Sequence, residues 1–224
     1  MTRLVLFDID GTLIHTHGVG VKAFFDTLKS EFRVEDSPEK YSFAGRTDRA
    51  LVQEIFEQHG IKATEENFQR FFNTYVMWLD YRLRRSMGEL TPGSDHFICS
   101  LLNHPNPPTI GLLTGNIRLG AEIKLRHFYL WDYFQLGAFG DESSNRNVLA
   151  KLALERGRKM LGRALKPEEV VVVGDTILDI ACADAIGARC LAVCTGGSTF
   201  DELAERNPTW LAHNFCKIQS RVIL

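Results

Sequence analysis

Four aspartates of this chain lie in two short stretches that are far apart in the sequence. The first stretch, DIDGTL, contains Asp8 and Asp10, and the second, GDTILD, contains Asp175 and Asp179. Carboxylates that are brought together and buried repel one another, so a cation must lie among them. A set of oxygen ligands favours Mg²⁺, which binds few protein groups and completes its coordination with waters and phosphate oxygens. The two stretches therefore indicate phosphate chemistry at a magnesium ion.

A third stretch, LLTGN, lies between the two acidic ones and offers a hydroxyl and an amide. At a magnesium site the ion would bridge a carboxylate and the phosphoryl oxygens, while hydroxyl and backbone N–H donors would hold the other oxygens. We expect these donors to be the Thr114 hydroxyl and the backbone after Asp8. His15 and His17 follow the first stretch, but we expect them to be exposed at a hinge and leave them outside the site. The predicted substrate-binding residues of these stretches are Gly11, Thr12, Gly115 and Asn116.

Each of the three stretches directly follows a short apolar run with the character of a strand. The runs are Leu4–Phe7, Thr109–Leu113 and Val170–Val173, and a fourth, later run is Cys190–Cys194. Continuous apolar runs are typical of strands buried on both faces, and the later intervals can hold crossover helices, expected at Ala150–Leu161 and Ile177–Ile186. The sequence thus predicts an α/β fold with a doubly wound parallel sheet. The carboxyl ends of such strands border one crevice, where the three stretches would meet.

The interval between the first and second strands is far longer than a crossover requires, and its apolar residues recur at helical spacing. One helix is expected to end at Gly60, and another starts near Glu65 and carries an aromatic stripe that reads as packing core. We therefore predict a helical cap domain over residues 16–89, inserted into a catalytic α/β core of residues 1–15 and 90–224.

The stretches DIDGTL, LLTGN and GDTILD resemble the motifs of the haloacid dehalogenase (HAD) superfamily, and the likeness to its phosphoglycolate-phosphatase-like members extends over nearly the whole chain. Each motif is weak alone, but three in order, each after a buried strand, form a specific pattern. The resemblance implies that Asp8 attacks phosphorus and that Asp10 acts as general acid and base. It also implies metal ligands in the Asp8 side chain, the Asp10 backbone carbonyl and Asp175. Asp179 would be a further ligand or a partner of the ligands, and Thr114 would bind phosphate.

The family also supplies a cation from the segment before the third motif, where it pairs with the nucleophile and the phosphoryl group. Here the stretch FGDESSNRNVLAKLALER lacks a clear Lys-Pro element, and its alignment puts Arg146 nearest to the required position, with Lys151 as the alternative. A guanidinium can grip phosphate with two N–H groups. The stretch GRTD, residues 45–48, resembles a substrate-facing cap motif, so Arg46 is predicted to bind substrate. The same stretch fits a helix N-cap, and the two roles can coexist.

The composition argues against several classes of partner. Of the 224 residues, 45% are hydrophobic and 24% are charged, the formal net charge is −2 and the pI is near 6.4, so no broad basic surface is available for nucleic acid. No apolar stretch is long enough for a membrane helix, and the first apolar run ends at Asp8, too early for a secretory signal. We expect a soluble, cytoplasmic protein that binds neither nucleic acid nor membrane, and the sequence leaves its oligomeric state open.

The sequence predicts a Mg²⁺-dependent phosphatase that hydrolyses a small organic phosphate monoester, with phosphoglycolate as the first guess, through a phospho-aspartyl intermediate. A dehalogenase would not need a carboxylate at Asp10, and a phosphonate-cleaving enzyme would need an activated cap lysine, of which there is no local sign. A sugar phosphomutase shares every core motif and stays an alternative. A binding or regulatory module that has lost catalysis is a second alternative, although all four aspartates are retained.

Overall fold

The apolar runs of the sequence form the central sheet of the computed structural model, which describes all 224 residues. The strands, in chain order, are β1 Leu4–Phe7, β2 Ile14–His15, β3 Glu89–Leu90, β4 Thr109–Leu113, β5 Leu136–Ala138, β6 Val170–Gly174, β7 Arg189–Val193 and β8 Trp210–Ala212. Six of them form one parallel sheet in the order β5-β4-β1-β6-β7-β8, and β2 and β3 form a separate antiparallel pair. The predicted parallel α/β sheet is confirmed.

Helices cover both faces of the sheet and fill the inserted segment. In chain order they are α1 Val19–Phe32, α2 Asp48–Gln58, α3 Glu65–Leu83, α4 Ser94–Leu102, α5 Arg118–His127, α6 Arg146–Leu161, α7 Ile177–Ala185 and α8 Phe200–Ala204. Val5 and Phe7 of β1 enter one apolar cluster with α4 and α5, whereas Leu4 and Leu6 enter another with α6 and α7. Both faces of the strand are therefore buried, which explains its continuous apolar pattern. None of the helices combines the length and the apolar content that crossing a membrane requires.

The structure shifts some predicted boundaries and adds two edge strands. The run predicted as Cys190–Cys194 forms strand β7 one residue earlier. The helix predicted over Ala150–Leu161 begins already at Arg146, because the Asn145 side chain caps it by accepting a hydrogen bond from the Asn147 N–H. Strands β5 and β8 are three residues each, too short to give a recognisable apolar run. The earlier start of α6 matters most, because it places Arg146, the predicted cation of the site, in the first turn of the helix.

Helices α1, α2 and α3 supply nearly all of a third apolar cluster, separate from the two faces of the sheet. Phe24 of α1 packs against Phe71 and Tyr75 of α3, with ring centroids 4.6 and 5.9 Å apart. The aromatic stripe is therefore packing core, as expected. Where the chain enters and leaves this segment, β2 pairs with β3 in the register Ile14–Leu90 and His15–Glu89. These pairs lie at the boundaries expected for residues 16–89. We continue to call this segment the cap. That it is a separate domain stays a prediction.

Candidate active site

Asp8 and the loop after it lie at the carboxyl end of the central strand β1. The Asp8 N–H donates to the Val173 carbonyl of β6, so the pairing of the two strands continues to Asp8, at the end where their carboxyl termini lie. Gly11 has a φ of 80°, and a side chain there would collide with the Asp175 carboxylate. The Thr12 hydroxyl donates to Asp175 Oδ1 at 2.7 Å. The first loop therefore packs directly against the second acidic stretch.

Asp8, Asp175 and Asp179 are buried together, and each offers a carboxylate oxygen within 4.8 Å of the others. Burial raises the pKa of Asp8 well above its ordinary value, although the Arg146 guanidinium opposes the shift. Burial, and next the charge of Asp179, raise the pKa of Asp175 to about 7. Buried carboxylates this close are unfavourable unless a cation shares the space. A donor set made only of carboxylate oxygens fits Mg²⁺, so the predicted ion suits these residues.

Asp179 differs from the other two carboxylates in that it does not reach the cavity that Asp8 and Asp175 line. Its Oδ2 accepts hydrogen bonds from the Thr176 N–H at 3.0 Å and the Thr176 hydroxyl at 2.7 Å, and its Oδ1 accepts one from Arg146. We therefore expect Asp8 and Asp175 to be the side chains that would hold the metal. Asp179 is better placed to orient Arg146, which is the second of the two roles that the sequence left open for it.

Arg146, the first residue of α6, points at the acid cluster. Its Nη2 lies 3.4 Å from Asp8 Oδ1 and also contacts Asp179, while its Nε is a buried donor with no partner. The guanidinium is thus held beside the predicted nucleophile at the cavity, where its N–H groups could bind a phosphoryl oxygen. Lys151, the alternative cation, is exposed. The structure places Arg146 and not Lys151 beside the predicted nucleophile, and the catalytic role of Arg146 stays a prediction.

Asp10 belongs to a second group of polar side chains, on the other side of the site. Its Oδ2 accepts hydrogen bonds from Asn116 Nδ2 at 2.7 Å and from Lys124 Nζ at 2.6 Å, and Lys124 also donates to Asn116 Oδ1 at 2.6 Å. Asn116 Nδ2 donates in addition to the Thr114 hydroxyl at 2.9 Å. Sequence reasoning missed Lys124, although a signal existed: it lies three residues after the buried Ala121 and so shares the inward face of α5.

The GRTD stretch, residues 45–48, closes the site from the cap side. Its threonine caps α2, and Arg46 lines the site. The Asp48 N–H donates to the Gly115 carbonyl at 2.8 Å, and Asp48 Oδ2 accepts from the Ile117 N–H at 2.8 Å. A side chain at Gly115 would collide with the Arg46 carbonyl, so a glycine is needed where cap and core approach. The stretch is a helix cap that also borders the site, and substrate binding by Arg46 stays a prediction.

These groups surround one cavity of about 330 Å³. The predicted site residues that line it are Asp8, Asp10, Gly11, Arg46, Gly115, Asn116, Arg146 and Asp175. Thr12, Thr114 and Asp179 are buried beneath this lining. The contacts of Thr12 differ from its predicted part in substrate binding, because its hydroxyl is engaged in holding Asp175. The lining also includes side chains that the sequence did not assign to the site, namely His15, His17, Asp48, Tyr75 and Lys124.

A parallel sheet with carboxylates gathered at the carboxyl ends of its strands is the arrangement that the three motifs predict. Residues 5–193 match the family model described as haloacid dehalogenase-like hydrolase. The chain therefore belongs to the haloacid dehalogenase-like hydrolases. This confirms the predicted family, the fold class and the class of enzyme.

Two curated relatives are similar over most of their length. The chain is 25% identical to phosphoglycolate phosphatase of Photorhabdus laumondii, a match that covers 98% of this chain and 92% of the relative. It is 27% identical to phosphoglycolate phosphatase 1 of Pseudomonas aeruginosa, covering 96% of this chain and 77% of the relative. Among solved structures, CbbY from Rhodobacter sphaeroides in complex with phosphate superposes with a TM-score of 0.76 at 21% identity, covering 96% of this chain and 95% of that one. This structural likeness shows the shared fold.

Proposed function

We propose that this protein is a Mg²⁺-dependent phosphatase that hydrolyses a small organic phosphate monoester through a phospho-aspartyl intermediate. The observation that carries the proposal is the position of Asp8, a buried carboxylate between Arg146 and Asp175 that lines a small cavity. A nucleophile for phosphorus needs a cationic partner for the phosphoryl group, a metal site and access for the ester. Asp8 has a candidate for each of these.

The acid cluster supports the metal dependence. Asp8, Asp175 and the backbone carbonyl of Asp10 would hold Mg²⁺, which when bound would neutralise the carboxylates and polarise the phosphoryl oxygens. Arg146 would bind a phosphoryl oxygen through its guanidinium, which lines the cavity beside Asp8, while Asp179 holds that group in place. With Mg²⁺ bound, the ion and Arg146 would together balance the three negative charges of Asp8, Asp175 and Asp179.

The chemistry takes two steps at Asp8. In the first, an Asp8 oxygen attacks phosphorus, the bond from phosphorus to the leaving oxygen breaks, and Asp10 gives its proton to the leaving alkoxide. In the second, Asp10 takes a proton from a water whose oxygen attacks the phosphorus of the aspartyl phosphate. The bond between phosphorus and Asp8 breaks, and inorganic phosphate leaves. Asp8 is again a carboxylate and Asp10 is again protonated, so the cycle closes.

Phosphoglycolate is the first candidate substrate. Two relatives that match nearly the whole chain are named phosphoglycolate phosphatases, at 25% and 27% identity. The cavity of about 330 Å³ is at the small end of the range for ligand sites, which favours an ester with few atoms beyond the phosphoryl group.

Phosphate release from p-nitrophenyl phosphate and from 2-phosphoglycolate tests the proposal. In Mg²⁺ the full chain is expected to release phosphate, EDTA is expected to stop the release, and excess Mg²⁺ to restore it. A panel of phosphorylated metabolites, ranked by kcat/KM, then identifies the preferred ester. A protein that releases phosphate from none of them in Mg²⁺ would be a binding module instead. Transfer of the phosphoryl group to a second sugar hydroxyl in preference to water would identify a mutase.

A further inference from the structure

Lys124 is a buried cation whose partner is the predicted acid and base rather than the acid cluster. Its side chain is 5% exposed on α5, whereas the Asp10 side chain is 41% exposed and faces the cavity. Nζ donates to Asp10 Oδ2 and to Asn116 Oδ1, both at 2.6 Å. Lysine is almost never buried this deeply unless its charge is paired, so the contact with Asp10 is what makes its burial tolerable.

The two oxygens of Asp10 have unequal surroundings. Oδ2 accepts hydrogen bonds from Lys124 and from Asn116, whereas Oδ1 accepts none from the protein. Two donors on one oxygen, one of them charged, restrict rotation of the carboxyl group. They also occupy Oδ2, because both donate an N–H to it. Oδ1 is therefore the oxygen left for exchanging a proton with a substrate or with water.

The surroundings of Lys124 hold its ammonium in this position. Asn116 is fixed by its own contact with the Thr114 hydroxyl at 2.9 Å. On the cap side, a Cβ at Gly20 of α1 would lie 3.4 Å from Nζ, an ordinary contact distance, so helix α1 packs closely against the ammonium. Asp48 is close enough that the Lys124 charge partly offsets the burial that raises the pKa of Asp48 to about 6. The lysine thus lies between two carboxylates, one from each side of the cavity.

We propose that Lys124 is a positioning residue, which together with Asn116 fixes Asp10 so that Oδ1 gives the proton to the leaving group and takes one from water. The inference rests on the proposed phosphatase function, in which Asp10 is the acid and base. Without the Lys124 ammonium, Asp10 can rotate and either oxygen can carry the proton. The steps that need proton transfer would then slow more than those that do not.

Two esters with different leaving groups separate these steps. p-Nitrophenolate leaves without a proton, whereas the alkoxide of an alkyl phosphate needs one, and kcat/KM reports the half-reaction in which that group departs. Because general acid catalysis contributes about 10²- to 10⁴-fold, Lys124→Met is expected to lower kcat/KM about 100-fold for the best alkyl ester of the panel and less than about 5-fold for p-nitrophenyl phosphate. Lys151→Met, a matched change at an exposed lysine, is expected to leave both values unchanged.

Equal losses for the two esters would overturn the inference, since a lysine that binds phosphate or maintains the fold affects both alike. A double-mutant cycle adds a second criterion. In an Asp10→Asn background Lys124→Met is expected to cost less than about threefold, because residues that act as one unit are not additive, and additive losses would overturn the inference. If the Met variant does not fold, Lys124→Gln removes the charge while keeping a polar amide on a shorter side chain, and the same expectations apply to it.

The wild-type protein separates failure of this inference from failure of the proposed function. Wild-type hydrolysis of both esters together with parallel losses in the variant overturns only the positioning role. Wild-type protein that hydrolyses neither ester overturns the phosphatase proposal and the positioning role with it.

Discussion

Arg146 balances two buried carboxylates, so its replacement is expected to affect both stability and chemistry. Arg146→Ala leaves Asp8 and Asp179 without the cation that contacts both, and breaking such a buried pair typically costs about 3–5 kcal/mol in the free energy of unfolding. Arg146→Lys keeps the charge without the planar fork, so an intermediate loss is expected. Urea unfolding measures the stability, and release of p-nitrophenolate measures the activity.

Lys151→Ala is the control for this change, because the side chain is exposed on the same helix. It is expected to alter the free energy of unfolding by no more than about 0.5 kcal/mol and to keep full activity. An Arg146→Ala protein as stable and as active as the Lys151→Ala protein would show that the buried pair has no such role.

Single residues were predictable where a motif fixed their place in the fold. Asp8 and Asp175 follow buried strands directly, so strand pairing alone brings them together. Thr12 shared that loop, but the sequence could not show that its hydroxyl turns toward Asp175 instead of the cavity. The spacing from Ala121 puts Lys124 on the inward face of α5, but its approach to Asp10, like that of Tyr75 to the site, depends on how α5 and α3 pack in the tertiary structure.

At the scale of elements, the loop after β4 and the start of α2 must approach each other closely. Gly115→Ala would force its methyl group into the Arg46 carbonyl and strain the two hydrogen bonds of Asp48 to the core. Overpacking of this kind is expected to cost about 1–3 kcal/mol in stability, and KM is expected to rise because Arg46 lines the cavity. Thermal unfolding and Michaelis curves are the measurements.

Gly20→Ala is the comparison for stability, since the same methyl group there begins at an ordinary 3.4 Å from its nearest neighbour, inside helix α1. Helix propensity favours alanine over glycine by about 1 kcal/mol, so this variant is expected to be at least as stable as the wild type. If both alanines shifted the unfolding temperature equally, the close approach at Gly115 would not be the cause.

Strands with a continuous apolar run were predicted from the sequence, whereas edge strands and a polar helix start were not. Strands β1, β4 and β6 were found as continuous apolar runs because helices bury both of their faces. The start of α6 was placed too late because its first turn, from Arg146, is polar and depends on the Asn145 cap. That polar first turn carries Arg146, whose contacts with Asp8 and Asp179 explain why a charged residue stands there.

Across the whole molecule, the acid cluster is expected to make stability depend on metal and on pH together. Folding raises the pKa of Asp175 from its ordinary value of 3.8 to about 7, mainly by burial. Between these values the folded protein binds a proton that the unfolded chain has lost, so the metal-free fold loses stability as pH rises through this window. A bound Mg²⁺ competes with that proton, so we expect Mg²⁺ to raise the unfolding temperature more at about pH 8 than at about pH 5.

Thermal unfolding in Mg²⁺ and in EDTA at the two pH values measures this gain. Asp175→Asn is the control, because removing the carboxylate removes both the proton site and a metal ligand, and its gain is expected to be small at either pH. A gain in the wild type that is equal at the two pH values, or larger at the lower one, would show that Mg²⁺ binds elsewhere.

Covalent phosphorylation of Asp8 is the central claim, and rapid acid quench with peptide mass spectrometry tests it most directly. The full chain is mixed with Mg²⁺ and p-nitrophenyl phosphate, whose leaving group needs no proton from Asp10, and quenched within one turnover. The expected result is one hydroxylamine-sensitive phosphoryl group on the peptide that contains Asp8, present at a higher level in Asp10→Asn, where water attack is slowed, and missing in Asp8→Asn. Steady phosphate release with no label on Asp8, or an Asp8→Asn protein of wild-type activity, would contradict the claim.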